Sequence, residues 1–207
     1  MMATLYYIHD PMCSWCWGYR PAWHQLETNL PSEINVEYVA GGLAPDSDEA
    51  MPIALQQSIQ SHWHTIQAKL GTEFNFDFWQ KNTPRRSTYN ACRAVIAAKN
   101  QGLEKEMLAA IQQGYYLRAL NPSDKSTLIT LAQELAKQNP MMNTAQFSAD
   151  LSSAATQTEL MRQIELARTL THRGFPSLVL EYQGKQHFIA HDYQDNAITL
   201  KQIMQYL

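Results

Sequence analysis

Cysteine is scarce in this chain, with three among 207 residues. Three thiols are too few for a scaffold held together by disulfides, and an odd number leaves at least one thiol unpaired. The first residues, MMATLYYIHDPMCSWC, have neither the basic start nor the apolar stretch of a secretory signal. Both observations favour a cytoplasmic protein, where a close pair of cysteines is more often catalytic or metal-binding than structural.

Long apolar runs and a strong charge of one sign are also missing. No apolar run approaches the ~18 residues that indicate a membrane span, so we expect a soluble protein without a membrane partner. Charged residues make up 17% of the chain, the net charge is -3, and the basic residues are scattered apart from Arg85 and Arg86. Because this pattern offers no basic surface to a polyanion, we expect no nucleic-acid partner.

Strand patterns occur only near the two ends of the chain. Residues 3–9 (ATLYYIH) are rich in β-formers and stop before a proline, and residues 34–40 (INVEYVA) alternate as a second strand. Between them a helical pattern runs from Ser14 to about Pro31, with a kink expected near Pro21. This order predicts a βαβ unit with two parallel strands.

The rest of the chain is helical until about residue 172, where β-like sequence returns. Asp46, Ser47 and Asp48 are typical capping residues for a helix running towards Leu70, and further helices are expected to follow. Residues 177–182 and 186–190 predict a hairpin, followed by a final helix from about residue 196. The sequence thus predicts one domain from residues 1–47 and 173–207, with an inserted helical domain at 48–172.

Cys13 and Cys16 lie where the first strand leads into the first helix. Helical positions three apart share a face, so the two sulfurs can come within disulfide reach. Cys13 would lie near the free amides and positive dipole end of the helix, which favour a thiolate, with the Ser14 hydroxyl as a further donor. We therefore expect Cys13 to be the nucleophile of thiol–disulfide exchange and the deeper Cys16 to resolve the mixed disulfide.

A metal site and a static disulfide are the alternatives for this pair. A zinc site needs four ligands, and no second CxxC motif is present to supply the other two. Two histidines could complete a Cys2His2 set, either His62 with His64 or His9 with His24, but the spacings match no common zinc motif. A static disulfide does not suit the expected compartment. We therefore predict no metal.

Cys92 lies in the apolar helical stretch YNACRAVIAA, which predicts a buried residue without a catalytic part.

Four stretches together resemble the DsbA family of thioredoxin-fold proteins. They are residues 5–9, DPMCSWCWG at 10–18, YNACRA at 89–94 and GFPS at 174–177. Within that family the chain looks like the cytoplasmic DsbA-like or FrnE-like proteins that are often labelled disulfide isomerases. The resemblance implies a thioredoxin-like α/β fold, β-α-β plus β-β-α, with a large all-helical insertion.

The resemblance also implies roles for individual residues. Phe175–Pro176 would be the family's cis-proline bond facing the Cys pair, which adds Pro176 to the catalytic residues; the alternative is an ordinary loop proline. The exposed backbone of Phe175 could then pair with an extended substrate beside Cys13. Ser14 and Trp15, between the cysteines, complete the expected substrate-binding residues, and the Trp15 ring suits an apolar peptide or a flat small molecule.

The expected function is that of a thiol–disulfide oxidoreductase or isomerase. Its expected partners are protein or peptide thiols and disulfides or glutathione, and its redox group is the Cys13–Cys16 disulfide, without another cofactor. Two alternatives stay open: a glutathione-dependent isomerase or transferase of the kappa-class or hydroxychromene carboxylate isomerase type, and a non-catalytic zinc-holding or chaperone-like module. Proteins of the first type share this architecture but resemble sites with a single serine or a single thiol at the position of Cys13. The presence of two cysteines here argues against that chemistry without excluding a glutathione substrate.

Overall fold

The computed structural model describes residues 3–207 and shows a mixed α/β protein. The chain divides into two compact units, here called the sheet unit and the helical unit. The sheet unit is the described part of Met1–Gly41 together with Gln163–Leu207, and the helical unit is Gly42–Arg162. The sequence placed these boundaries at 47/48 and 172/173, and the division into domains that fold separately stays a prediction.

The sheet unit begins with the predicted strand, helix and strand. These are β1 (Ala3–His9), α1 (Ser14–Asn29) and β2 (Ile34–Ala40). β1 and β2 are parallel, and residues 3–9 pair in order with residues 34–40. α1 continues through Pro21 and buries Trp17, Trp23 and Leu26. The predicted βαβ arrangement is therefore confirmed.

The helical unit contains six helices wholly within the described residues. They are α2 (Ile53–Leu70), α3 (Phe78–Lys81), α4 (Tyr89–Lys99), α5 (Glu104–Arg118), α6 (Lys125–Gln138) and α7 (Thr144–Leu151). α3 was not predicted, because one turn is too short to show a helical period. Cys92 of α4 is completely buried. No helix within residues 3–207 has the length and apolar character needed to cross a bilayer.

The predicted start of α2 at residues 46–48 is wrong. The helix begins five residues later than Asp48, at Ile53. Before it the chain is held extended, because Ala50 forms an antiparallel bridge with Arg85 and the Met51 N–H donates to the Pro84 carbonyl at 2.8 Å. Asp46 accepts two hydrogen bonds from the Arg93 guanidinium instead of capping a helix.

The last elements are α8 (Ala154–Leu170), β3 (Ser177–Tyr182), β4 (Lys185–Ile189) and α9 (Asn196–Met204). β3 is antiparallel to both β1 and β4, which gives the sheet order β2-β1-β3-β4. Gln183 and Gly184 form the hairpin turn with φ of 53° and 73°, and two positive values are what a type I′ turn requires. The hairpin is confirmed, with β4 starting one residue before the predicted position.

The two faces of β1 pack against different helices. Alternate side chains of a strand point to opposite faces. On one face Ile8 packs with Val39, Val179 and Ala167 of α8. On the other face the Tyr7 ring stacks on Trp23 of α1, with 4.2 Å between ring centroids. This packing fixes the end of β1 against the start of α1, where Cys13 and Cys16 lie.

Candidate active site

Cys13 occupies the N-cap position of α1, in a tight turn after β1. The Cys13 N–H donates to the Asp10 carbonyl at 3.0 Å, and the Met12 N–H donates to the Asp10 carboxylate at 2.8 Å. The Cys13 carbonyl then accepts the first helical bond, from the Trp17 N–H at 3.1 Å. The Cys13 sulfur therefore lies beside the positive end of the α1 dipole, which stabilises negative charge.

Cys16 lies one turn inside α1 and is less accessible than Cys13. Its exposed fraction is 0%, against 8% for Cys13. Burial, followed by the hydrogen bond and charge of Cys13, raises the pKa of Cys16 well above its usual value of 9.0, and a hydrogen bond with the Asp10 backbone opposes the shift. Cys16 is consequently a neutral thiol at neutral pH. Both cysteines are in the free thiol form.

The loop before β3 reaches the first cysteine. The Cys13 thiol donates to the Phe175 carbonyl at 3.5 Å, across 162 positions of the sequence. The bond between Phe175 and Pro176 is cis. The loop is held by the Ser177 hydroxyl, which donates to the Gly174 carbonyl at 2.7 Å, while Gly174 itself has a φ of 79°. The fold thus brings Cys13, Phe175 and Pro176 together.

A cleft of about 500 Å³ adjoins this loop. It contains three of the residues that the sequence singled out: Trp15, Phe175 and Pro176. Five further lining residues were missed, namely Arg173, Phe188, Ala190, His191 and Tyr193. Ser14 is half-buried and does not line the cleft. The cleft is therefore mostly aromatic, with Trp15 supplied by the CxxC motif itself.

Tyr193 connects this aromatic lining to the thiols. Its ring meets Trp15 edge-on, with 5.5 Å between centroids, and also contacts His191. Burial, and then the proximity of Cys16 and Cys13, raises the pKa of Tyr193 above its usual range. Burial lowers the pKa of His191, so its imidazole is neutral at pH 7. No sequence motif marked these two residues, because they follow β4 in an irregular segment.

Gly41, directly after β2, is a further residue of the site that sequence reasoning missed. A Cβ atom built on Gly41 would lie 2.1 Å from Cε1 and 2.2 Å from Cζ of Phe175. The Phe175 ring therefore lies directly against the backbone of Gly41, and only glycine leaves room for it there. In the sequence, Gly41 is marked only as the residue that follows the predicted strand at 34–40.

Metal ligands are not grouped in the part of the chain that the structure describes. Across residues 3–207, no set of three or more His, Cys, Asp or Glu side chains has a metal-binding arrangement. His62 and His64, which the sequence offered as zinc ligands, lie on α2 of the helical unit, and the His64 ring stacks on Phe76 at 4.4 Å.

Comparison with known proteins shows the family. A family model described as Thioredoxin matches residues 6–199, whereas the comparison with curated proteins finds no match. Among solved structures, a candidate protein disulfide isomerase from Nitrosomonas europaea is 24% identical with a TM-score of 0.83; the alignment covers 100% of this chain and 97% of that one.

Two further relatives extend the comparison. Cytosolic disulfide reductase DsbM from Pseudomonas aeruginosa is 24% identical, with a TM-score of 0.74 over 98% of this chain and 94% of that chain. The same protein with GSH is similar, at 22% identity and a TM-score of 0.73 over 98% and 95% of the two chains. Oxidoreductase DsbA from Xylella fastidiosa is 13% identical, with a TM-score of 0.63 over 99% and 83%. The chain therefore belongs to the thioredoxin family and has the DsbA-like fold that its sequence predicted.

Proposed function

We propose that this protein is a thiol–disulfide oxidoreductase in which Cys13 and Cys16 alternate between two thiols and one disulfide. The observation that carries the proposal is the position of the Cys13 sulfur, at the N-terminus of α1 and 3.5 Å from the Phe175 carbonyl. The Phe175 backbone beside this sulfur provides an edge along which an extended substrate can pair. Cys16, buried one turn behind, is in place to complete the exchange.

Reduction of a substrate disulfide would take two steps. The Cys13 thiolate attacks one sulfur of the substrate, so that a Cys13–substrate bond forms, the substrate disulfide breaks, and the second substrate sulfur leaves as a thiolate and takes up a proton. Cys16 then attacks the Cys13 sulfur, and its proton passes to the departing substrate sulfur. The Cys13–Cys16 disulfide forms, the mixed disulfide breaks and the first substrate sulfur is released as a thiol, so two electrons have passed from the protein to the substrate.

The environments of the two thiols support this order. Cys16 is fully buried and its raised pKa keeps it protonated, so it does not compete for the external disulfide. Once the mixed disulfide exists, Cys16 is the thiol on the same face of α1, one turn away. Run backwards, the same steps oxidise a dithiol substrate, and the direction follows from the reduction potential of the pair against the surrounding thiol pool.

The comparisons support a protein that exchanges disulfides with protein, peptide or small thiols. One relative is described as a cytosolic disulfide reductase and has a structure with GSH, and another is described as a candidate disulfide isomerase. We extend to this chain a cytoplasmic location, protein or peptide thiols and disulfides or glutathione as partners, and no cofactor beyond the cysteine pair. Pro176, Phe175, Ser14 and Trp15 keep their proposed roles around Cys13.

The test is turnover of bis(2-hydroxyethyl) disulfide with a regenerating thiol, using single-cysteine variants. Cys13→Ser should abolish turnover, while Cys16→Ser should stop at a mixed disulfide on Cys13 that mass spectrometry detects. Cys92→Ala, a buried site outside the cleft, is the matched control and should retain turnover. Full turnover by Cys13→Ser would contradict the proposal.

The same variants separate the two alternatives. If Cys16→Ser kept full activity on an electrophilic substrate with glutathione, the protein would be a glutathione-dependent isomerase or transferase. Stoichiometric zinc in the purified protein, released on substitution of Cys13, would indicate a zinc-holding module instead.

A further inference from the structure

Arg173 places a cation on the wall of the cleft that contains Trp15, Phe175 and Pro176. Its guanidinium carbon lies 4.1 Å from the centroid of the Phe188 ring. The side chain is exposed, and within residues 3–207 its guanidinium makes no ion pair or hydrogen bond with a carboxylate. An arginine fixed against an aromatic ring, with its donors directed at no carboxylate, is available to bind an anion.

The remaining lining adds no charge at neutral pH. Burial lowers the pKa of His191, which is then neutral, and the raised pKa of Tyr193 keeps its phenol protonated. Asp192, next in the chain, does not line the cleft, and its carboxylate accepts hydrogen bonds from the Gln194 and Asp195 N–H groups, each at 2.8 Å. Among the lining residues that the structure describes, Arg173 therefore carries the only formal charge.

Guanidinium chemistry indicates what this charge would recognise. A guanidinium binds a carboxylate through two parallel N–H···O bonds, and a guanidinium stacked on a ring loses little freedom on binding. The cation–π contact with Phe188 thus orients the Arg173 guanidinium before a substrate binds, while the Trp15 and Tyr193 rings can pack against apolar atoms of the substrate. A volume of about 500 Å³ is within the range of sites for small ligands.

We propose that Arg173 makes the cleft selective for small peptide disulfides and thiols that carry carboxylates, the class to which glutathione belongs. The inference rests on the proposed function, since it names the substrate class of the same site. One carboxylate of the substrate pairs with Arg173, and the disulfide of the substrate then lies towards Cys13. The Cys13 thiol contacts the carbonyl of Phe175, which is two residues after Arg173 in the chain. Arg173 is a specificity-determining residue, and it takes no part in breaking or forming the sulfur–sulfur bond.

The experiment compares three disulfides of different charge: anionic glutathione disulfide, neutral bis(2-hydroxyethyl) disulfide and cationic cystamine. For Arg173→Gln, we expect the kcat/KM ratio of glutathione disulfide to the neutral disulfide to fall about tenfold, the loss of one good interaction of about 1.4 kcal/mol. For this variant the KM for glutathione disulfide should rise, while kcat should stay unchanged. Arg173→Glu should favour cystamine, and added salt should weaken the selectivity of the unmutated protein.

The controls separate this inference from the proposed function. Arg168→Gln changes an exposed arginine of α8 outside the cleft and should leave all three substrates unaffected. Turnover of the neutral disulfide, abolished by Cys13→Ser, tests the proposed function by itself. With that turnover present, an equal loss on all three disulfides, or no change of the ratio, would overturn the role of Arg173. Without it, the proposed function fails and this inference fails with it.

Discussion

Replacing Gly41 by alanine should displace the Phe175 ring and disturb the site beside Cys13. The new Cβ would lie 2.1, 2.2 and 2.9 Å from three carbons of that ring. Carbon atoms without a bond between them rest at about 3.5 to 4.0 Å, so the ring must move by roughly 1.5 Å. The backbone at residue 41 yields less readily, because the Gly41 N–H donates to the His9 carbonyl at 2.7 Å.

The expected cost is that of an overpacked contact, about 1 to 3 kcal/mol of unfolding free energy. The Phe175 carbonyl, 3.5 Å from the Cys13 sulfur, should shift with its ring, so turnover of disulfides should also fall. Urea denaturation measures the first effect, and kcat/KM for bis(2-hydroxyethyl) disulfide measures the second.

A double-mutant cycle with Phe175→Ala tests whether the ring is the cause. Without the ring, the Gly41→Ala methyl group has room, so the second substitution should cost little, and the coupling energy should be about 1 to 3 kcal/mol. If the two substitutions are additive in stability, a collision between the new Cβ at residue 41 and the Phe175 ring is not the source of the cost.

Two further predictions concern stability. Burial raises the pKa of Cys16 above its usual 9.0, so the folded reduced protein keeps a proton that the unfolded chain releases as the pH rises above that value. Its unfolding free energy should therefore fall above about pH 9, by up to roughly 1.4 kcal/mol per pH unit, and urea titrations of Cys16→Ala should lack this part of the fall. Tyr38→Phe removes the acceptor of the buried Trp23 indole N–H, now at 2.8 Å. It should cost about 1 to 3 kcal/mol in urea denaturation, and an unchanged midpoint would contradict this.

Much of the sheet unit could be predicted because its signals are local. β1 and β2 have the predicted bounds, since β-formers and alternation mark them and Pro11 follows the first strand closely. The hairpin was marked by two β-like stretches, 177–182 and 186–190, with a short gap between them. The start of α2 could not be found in this way, because the cap-like Asp46 binds Arg93, a residue 47 positions away.

In the candidate site, too, the residues marked by a local motif were predicted, and those that depend on long-range contacts were not. Cys13 and Cys16 could be predicted because both belong to one short CxxC motif. Pro176 could be predicted only through the family resemblance. Gly41 and Arg173 were missed: their importance arises from contacts with Phe175 and Phe188, which only the folded sheet creates.

The redox equilibrium of the folded protein in a series of glutathione buffers directly measures whether Cys13 and Cys16 form a reversible disulfide. After an acid quench, alkylation and mass spectrometry would count the free thiols at each cysteine. We expect Cys13 and Cys16 to lose their thiols together, in one two-electron transition, while the buried Cys92 keeps its thiol. If Cys13 instead accumulated as a stable glutathione adduct beside an unreacted Cys16, or if neither thiol reacted, disulfide exchange through this pair would be contradicted.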